Sequence, residues 1–226
     1  SDLNDFITEL NELDYGVKVA GKNIGALAYA DDIVLLANNT EELQMMLNLF
    51  ESWCNKWRLR VNIDKTKVIH FRNKRKSRSE FRFKLGDQDI LFISKYKYLG
   101  VNLDEYLEFD TTANILAEAA GRALGAVISK FKKLRDVGYK TFTTMFHSGV
   151  VPVMDYCSEV WGYGRYECCN KIQNRAMRYY LGVHTKAPII GMQGDMGWIL
   201  PKFRRYFNLF SYWNYLNSLE DDKIGR

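Results

Sequence analysis

Two adjacent aspartates interrupt an apolar run, LAYADDIVLLA, that extends from Leu27 to Ala37. Apolar runs of this length usually form buried strands, and a carboxylate without a partner is costly to bury. Asp31 and Asp32 therefore need an exposed turn, basic partners or a metal ion. The run predicts a tight hairpin, with strands at 24–30 and 33–36 and both carboxylates at the tip. Asn-Gly would be the more stable turn and like charges repel, so the pair indicates a functional site.

The remaining patterns predict an α+β chain. Strands are predicted at 16–20, 68–72, 81–85, 90–93 and 96–103, and helices at 2–13, 40–57, 111–134, 139–151, 167–181 and 203–219. Thr40 is the expected N-cap of the second helix. The aromatic residues of the last helix are assigned to the core, because aromatic burial dominates core energetics; base stacking is the alternative. The pattern changes near Asp110, which predicts two domains, 1–109 and 110–226.

The composition is that of a globular protein, with 226 residues, 47% of them hydrophobic, and a formal net charge of +5. No run of about 18 apolar residues predicts a transmembrane helix. The polar start without Met leads us to expect an excerpt from a longer chain. The four cysteines lack zinc-site spacings and predict reduced thiols in an intracellular protein, in the cytoplasm and nucleus.

Two basic segments admit two interpretations each. The first is the run from Arg72 to Arg78, which includes Lys74, Arg75 and Lys76 and is either a solvated loop or an RNA-binding segment. The second is a predicted helix end, where cations are favoured in any case but could also bind duplex phosphates. Its basic residues are Lys130, Lys132, Lys133 and Arg135.

The sequence resembles the reverse transcriptases of non-LTR retrotransposons. YADD, at Tyr29 to Asp32, matches the aspartate hairpin of that family, and an amphipathic helix follows at once. NIDKTKVIHF then matches a lysine-bearing loop, and KYKYLGV resembles the hairpin that grips the primer. QNRAMRYYLGV and GDMGW are similar to segments downstream of the thumb. The resemblance covers nearly the whole chain.

The resemblance implies a partial polymerase palm, an antiparallel sheet with packed helices, followed by a mostly helical thumb. Asp31 and Asp32 would bind Mg²⁺, with Mn²⁺ as a substitute, because Mg²⁺ takes hard oxygen ligands. Lys65 would act near the leaving pyrophosphate as electrostatic stabiliser or proton donor. Tyr29 would lie beside the primer end or the dNTP. The implied primer-gripping residues are Tyr98, Leu99 and Gly100.

The partners implied by the family are an RNA template, a DNA primer and a dNTP, with no membrane. The family also places another metal-binding aspartate on an earlier strand, and the chain begins after it. We therefore expect an inactive fragment that self-associates through the exposed edge of its aspartate hairpin. The alternatives are a catalytically dead nucleic-acid-binding module derived from a reverse transcriptase and an interaction fragment with no nucleic-acid role.

Overall fold

The computed structural model describes residues 2–19, 21–134 and 137–218. The chain divides into two compact units, one up to Tyr96 and one from Lys97 to Ser218. The domain boundary predicted near Asp110 stays a prediction. Within the second unit, the Thr112 hydroxyl accepts a hydrogen bond from the Asn102 N–H and donates one to the Asn102 carbonyl, at 3.0 Å each. These bonds attach the last strand to the helical unit.

The first unit contains two helices and a series of short strands. They are α1 (Asp2–Glu12), β1 (Val17–Val19), β2 (Lys22–Ile24), β3 (Ala26–Tyr29), β4 (Asp32–Leu35), α2 (Thr40–Trp57), β5 (Lys67–Val68), β6 (Phe83–Leu85) and β7 (Gln88–Phe92). The pairs β1–β2 and β3–β4 are antiparallel, whereas β7 lies between parallel β5 and antiparallel β6. The mixed character predicted for the first half is confirmed.

The second unit is mostly helical, as predicted. Strand β8 (Lys95–Tyr98) crosses the division and pairs with β9 (Val101–Asp104). The helices are α3 (Asp110–Phe131), α4 (Tyr139–Gly149), α5 (Val151–Met154), α6 (Ser158–Trp161), α7 (Glu167–Leu181), α8 (Ile189–Met196) and α9 (Pro201–Ser218). None of the helices within the described ranges is long and apolar enough to span a membrane. The names palm and thumb stay predictions.

Helix α2 organises the core of the first unit, because it buries side chains on two sides. Met46 and Trp53 pack with Phe6 of α1, while Leu47 packs with Phe83 of β6. The predicted bounds of α2 are confirmed, but its N-cap is Asn39, whose side chain accepts a hydrogen bond from the Glu42 N–H at 2.8 Å. The predicted cap at Thr40 is wrong by one residue.

The predicted strand from Ile24 to Ala30 is broken at Gly25. A Cβ atom at Gly25 would lie 2.7 Å from the Tyr15 carbonyl oxygen, so only glycine fits this approach. Before this break, Lys22 to Ile24 form β2, which pairs with β1. The break separates the β1–β2 hairpin from the β3–β4 hairpin that carries the aspartates.

The second unit packs around the small side chains of α3. Ala113, Ala117 and Ala120 are buried there and let neighbouring helices approach closely. Phe146 of α4 stacks on Trp198 with the ring centroids 4.4 Å apart. The prediction that the aromatic residues of the last helix belong to this core is wrong. The exposed aromatic residues of α9 are Phe203, Phe207, Phe210, Tyr212, Trp213 and Tyr215.

Candidate polymerase site and nucleic-acid interface

The aspartate hairpin has its two-residue tip at Ala30 and Asp31. Tyr29 pairs with Asp32 across the last rung, so Asp32 belongs to β4 and the predicted Asp31–Asp32 tip is displaced by one residue. Because Ala26 and Leu35 both pack against the cluster around Phe6, a slip of one residue would turn these side chains away from the core. The register is therefore fixed by packing rather than by the carboxylates.

The tip is strained and open to solvent. Ala30 has a φ of +50°, in the left-handed region that residues with a Cβ rarely adopt. Asp31 and Asp32 are both exposed, and Tyr29 keeps 64% of its surface accessible. The hairpin thus exposes two carboxylates and a phenol ring to solvent, and this exposure explains how the apolar run tolerates two charges.

The carboxylates are suitable ligands for Mg²⁺ in type, but they do not complete a site. Protein sites for two metal ions need more oxygen ligands than two side chains provide. In the part of the chain that the structure describes, no group of three or more His, Cys, Asp or Glu side chains could hold a metal ion. The residues present fit part of a divalent metal site.

Lys65 lies in a loop that is held by Asn62. The Lys65 N–H donates to the Asn62 carbonyl at 3.1 Å, and the Tyr96 hydroxyl donates to the Lys65 carbonyl at 3.2 Å. The backbone is thereby fixed while the ammonium group is exposed. Between described residues, no hydrogen bond or ion pair joins Lys65 to Asp31 or Asp32.

The predicted primer-gripping residues form the turn between β8 and β9. Leu99 and Gly100 have φ values of +45° and +86°, as in a type I′ turn. The Tyr156 hydroxyl donates to the Leu99 carbonyl at 3.1 Å. A Cβ atom at Gly100 would lie 2.8 Å from Tyr156 Cε1. Gly100 is therefore required both by its backbone angle and by the approach of the ring.

Both basic segments are exposed. In the first, the side chains of Lys74, Arg75 and Lys76 lie in a loop, and Arg72 Nη1 donates to the Lys76 carbonyl at 2.8 Å. The second segment is the end of α3, where the exposed residues are Lys130, Lys132 and Lys133. Arg135, predicted to belong to this group, lies outside the described residues. Exposure agrees with both interpretations of each segment.

A buried ionic cluster in the second unit escaped the sequence analysis. Arg204 Nε donates to Asp155 Oδ2, and Arg205 Nη1 lies 3.9 Å from Asp155 Oδ1. The Arg205 guanidinium is fully buried, with its Cζ 5.5 Å from the ring centroids of both Trp161 and Tyr166. The only sequence signal is a pair of arginines inside an aromatic helix. The cluster joins α9 to the segment between α5 and α6.

Comparison with known proteins finds a family match within the first half of the chain. Residues 3–103 match the family described as reverse transcriptase (RNA-dependent DNA polymerase). The resemblance to non-LTR reverse transcriptases is confirmed. The matched reverse transcriptase region contains the aspartate hairpin, the Lys65 loop and the β8–β9 turn.

Three relatives extend the similarity beyond this region. The polymerase of the mobile element jockey from Drosophila melanogaster is 25% identical over 74% of the chain and 18% of its own length. A Pol polyprotein of a type-1 retrotransposable element R1 from Nasonia vitripennis is 24% identical over 81% of the chain and 48% of its own length. An uncharacterised transposon-derived protein of Caenorhabditis elegans is 28% identical over 66% of the chain and 53% of its own length. The chain thus spans between 18% and 58% of the length of such relatives. No solved structure matches significantly.

Proposed function

We propose that this chain is a segment of an RNA-directed DNA polymerase that copies the RNA of a non-LTR retrotransposon. The match of residues 3–103 to the reverse transcriptase family carries the proposal, because it includes the exposed pair Asp31 and Asp32. Relatives named as RNA-directed DNA polymerases of transposons support it. The partners proposed for the complete enzyme are an RNA template, a DNA primer and a dNTP, within the cytoplasm and nucleus.

Asp31 and Asp32 are proposed to supply part of a divalent metal site. The ion would be Mg²⁺, or Mn²⁺ in its place, and would provide positive charge for nucleotide transfer. The remaining carboxylate would come from an earlier strand of the complete enzyme. The exposed ammonium group of Lys65 is proposed to stabilise negative charge on the leaving pyrophosphate.

The second part of the proposal concerns the duplex. The β8–β9 turn, from Tyr98 to Gly100, would contact the primer strand, and Tyr29 would lie beside the primer end or the incoming nucleotide. The two basic segments would contact phosphates without reading sequence. Their side chains are exposed on a loop and at a helix end, which allows them to follow a backbone.

Primer extension tests the polymerase proposal. We expect no template-dependent extension by this chain alone with Mg²⁺ or Mn²⁺, and extension when the complete enzyme is used. In that enzyme Asp31→Asn should abolish extension and Asp32→Asn should reduce it less, since Asn keeps the shape but loses the charge that binds the ion. Robust extension by the isolated chain, or full activity of Asp31→Asn, would contradict the assignment.

A catalytically dead nucleic-acid-binding module is the second candidate. The exposed basic loop favours it, because phosphate binding does not need a complete metal site. Binding to an RNA–DNA hybrid should weaken steeply with salt, with a log–log slope of about −0.9 per phosphate neutralised on duplex DNA and a similar trend here. Replacing Lys132 and Lys133 by Ala should reduce the slope. A flat salt response would leave the third candidate, an interaction fragment without a nucleic-acid role.

The edge of the aspartate hairpin is proposed to pair with another chain. Among the described residues, β3 and β4 form a sheet of only two strands, and such hairpins are marginally stable alone. Hydrogen exchange across residues 24–36 tests this. Strong protection of both strands in a monomer would show that the edge needs no partner.

A further inference from the structure

Helix α9 is turned with its polar residues inward and its aromatic residues outward. Arg205 is fully buried, and Asn208 Nδ2 donates to Ser158 Oγ at 2.8 Å. On the other side, Phe207 and Phe210 keep 70% and 68% of their surfaces exposed. A surface helix normally buries its apolar stripe, so this arrangement leaves a face that needs a cover.

The exposed aromatic side chains follow the spacing of a helix–helix seam. Phe203, Phe207, Phe210 and Trp213 are separated by four, three and three residues, which places all four along one side of the helix, as in paired helices. Tyr206 lies at the margin of this row and is half-buried, with its hydroxyl donating to the Tyr163 carbonyl at 3.4 Å. We call the four exposed residues the aromatic seam. Its regular spacing favours a second helix as the covering element.

The area of the seam is sufficient for a specific contact. Phe203, Phe207, Phe210 and Trp213 are 50%, 70%, 68% and 62% exposed. At about 200 Å² for each aromatic side chain, they expose roughly 500 Å² together. Two copies of the seam would bury about 1,000 Å², the lower limit for a specific protein–protein interface.

The charges around the aromatic seam distinguish between two candidate partners, single-stranded nucleic acid and a second copy of this chain. Helix α9 contains three basic and no acidic residues, and Arg204 and Arg205 point to Asp155 on the opposite side. Lys202 is then the one cation of α9 near the seam, with its Nζ 4.7 Å from the Phe203 ring centroid. Single-stranded nucleic acid needs a basic groove beside its stacking rings. A nearly uncharged seam is instead complementary to itself.

We propose that α9 is a dimerisation helix, in which the aromatic seams of two copies of this chain pair antiparallel about a two-fold axis near Phe210. This direction places the two Lys202 side chains at opposite ends, whereas a parallel pair would bring them together. Phe207 of one copy then faces Trp213 of the other. The contact is isologous and closes at two copies, as symmetric dimers do. The proposal does not depend on polymerase activity.

Light scattering after size-exclusion chromatography tests the dimer with two matched variants. Leu27→Lys serves as the background for the other variants, because self-association through the hairpin edge is proposed separately. In this background the chain should be a dimer, and Phe210→Glu should be a monomer at concentrations up to about 100 µM because it places like charges at the axis. Tyr215→Glu removes an exposed aromatic residue of α9 that lies off the seam, and should remain a dimer.

Cross-linking provides a second measurement that does not require dissociation. Phe210→Cys should form a disulfide between two copies on mild oxidation, and Tyr215→Cys should give no more dimer than the parent with its four cysteines. Circular dichroism confirms that each variant is folded. A monomeric Leu27→Lys chain, or a dimeric Phe210→Glu in that background, would overturn the proposal. So would quenching of the tryptophan fluorescence by a single-stranded oligonucleotide that is lost in Trp213→Phe.

Discussion

Substituting Gly100 by Ala should destabilise the β8–β9 turn for two separate structural reasons. With a φ of +86°, residue 100 lies where a side chain is strained. The added Cβ would also lie 2.8 Å from Tyr156 Cε1 and 3.4 Å from its hydroxyl oxygen. The ring must then move, and the 3.1 Å hydrogen bond from the Tyr156 hydroxyl to the Leu99 carbonyl is weakened.

The magnitudes of the two effects are similar. Left-handed backbone costs a residue with a Cβ about 1–2 kcal/mol. A weakened hydrogen bond removes about 0.5–1.5 kcal/mol of net stability. We therefore expect Gly100→Ala to lower the free energy of unfolding by about 2–3 kcal/mol, and the melting temperature by on the order of 4–12 °C for a chain of this size.

The same substitution at Gly125 supplies a control of opposite sign. Gly125 lies inside α3, and a Cβ built there meets nothing within 4 Å. Ala in place of Gly in a helix interior should raise the free energy of unfolding by about 0.5–1 kcal/mol. Urea denaturation followed by circular dichroism measures both variants, and the m-value shows whether the same surface unfolds.

A double-mutant cycle with Tyr156→Ala separates the cost of backbone strain at residue 100 from the cost of contact between the added Cβ and the Tyr156 ring. Without the ring, Gly100→Ala should cost only the backbone strain, which leaves a coupling energy of about 1 kcal/mol between the two positions. Equal effects of Gly100→Ala and Gly125→Ala, or no coupling to Tyr156, would refute the reasoning. In the complete enzyme, Gly100→Ala should weaken primer binding more than dNTP binding if the β8–β9 turn contacts the primer.

Two further predictions concern the second unit. Asp155→Asn should lower the free energy of unfolding by about 3–5 kcal/mol in urea denaturation, because it leaves buried arginines unpaired; Asp195→Asn, at an exposed site, is the control and should change little. A hydrogen bond from Cys169 lowers the pKa of Cys168 to about 7, so iodoacetamide should modify Cys168 with a rate that rises with pH around 7. Cys169→Ala should move that midpoint upward, and a profile that is unchanged in this variant would contradict the assigned cause.

Hydrophobic periodicity correctly predicted the helices whose apolar side chains recur at regular intervals along their own sequence. The bounds of α2 and α7 follow from stripes within each helix, and the structure confirms both. The prediction of one strand from Ile24 to Ala30 was wrong because the chain breaks at Gly25, where the approach of the Tyr15 carbonyl excludes any side chain. The prediction of Thr40 as the N-cap of α2 was wrong because Asn39 and Thr40 are both good caps, and only the backbone angles distinguish them.

The site was predictable only where a motif carries it. The hairpin of Asp31 and Asp32 could be placed because the residues on both sides are apolar and the family has a recognisable pattern. Asp155 gave no comparable signal, since its partners Arg204 and Arg205 lie about fifty residues later and a lone acidic residue has no periodicity. Such a contact depends on tertiary packing, which a single sequence does not display.

The buried cluster also explains why the aromatic prediction for α9 failed. Phe207 and Phe210 lie on the side of the helix opposite Arg205, so the helix can bury either its arginine face or its aromatic face, but not both. Burying two Phe side chains fully would gain about 3–6 kcal/mol. Rotating the helix would leave Asp155 without its partners, at a cost of about 3–5 kcal/mol, and would also break the bond between Asn208 and Ser158. In a single copy the ionic contacts keep the arginines inside. Association through the aromatic seam then removes the exposed rings from water without disturbing Asp155, so the two requirements conflict in a monomer and are both met in a dimer.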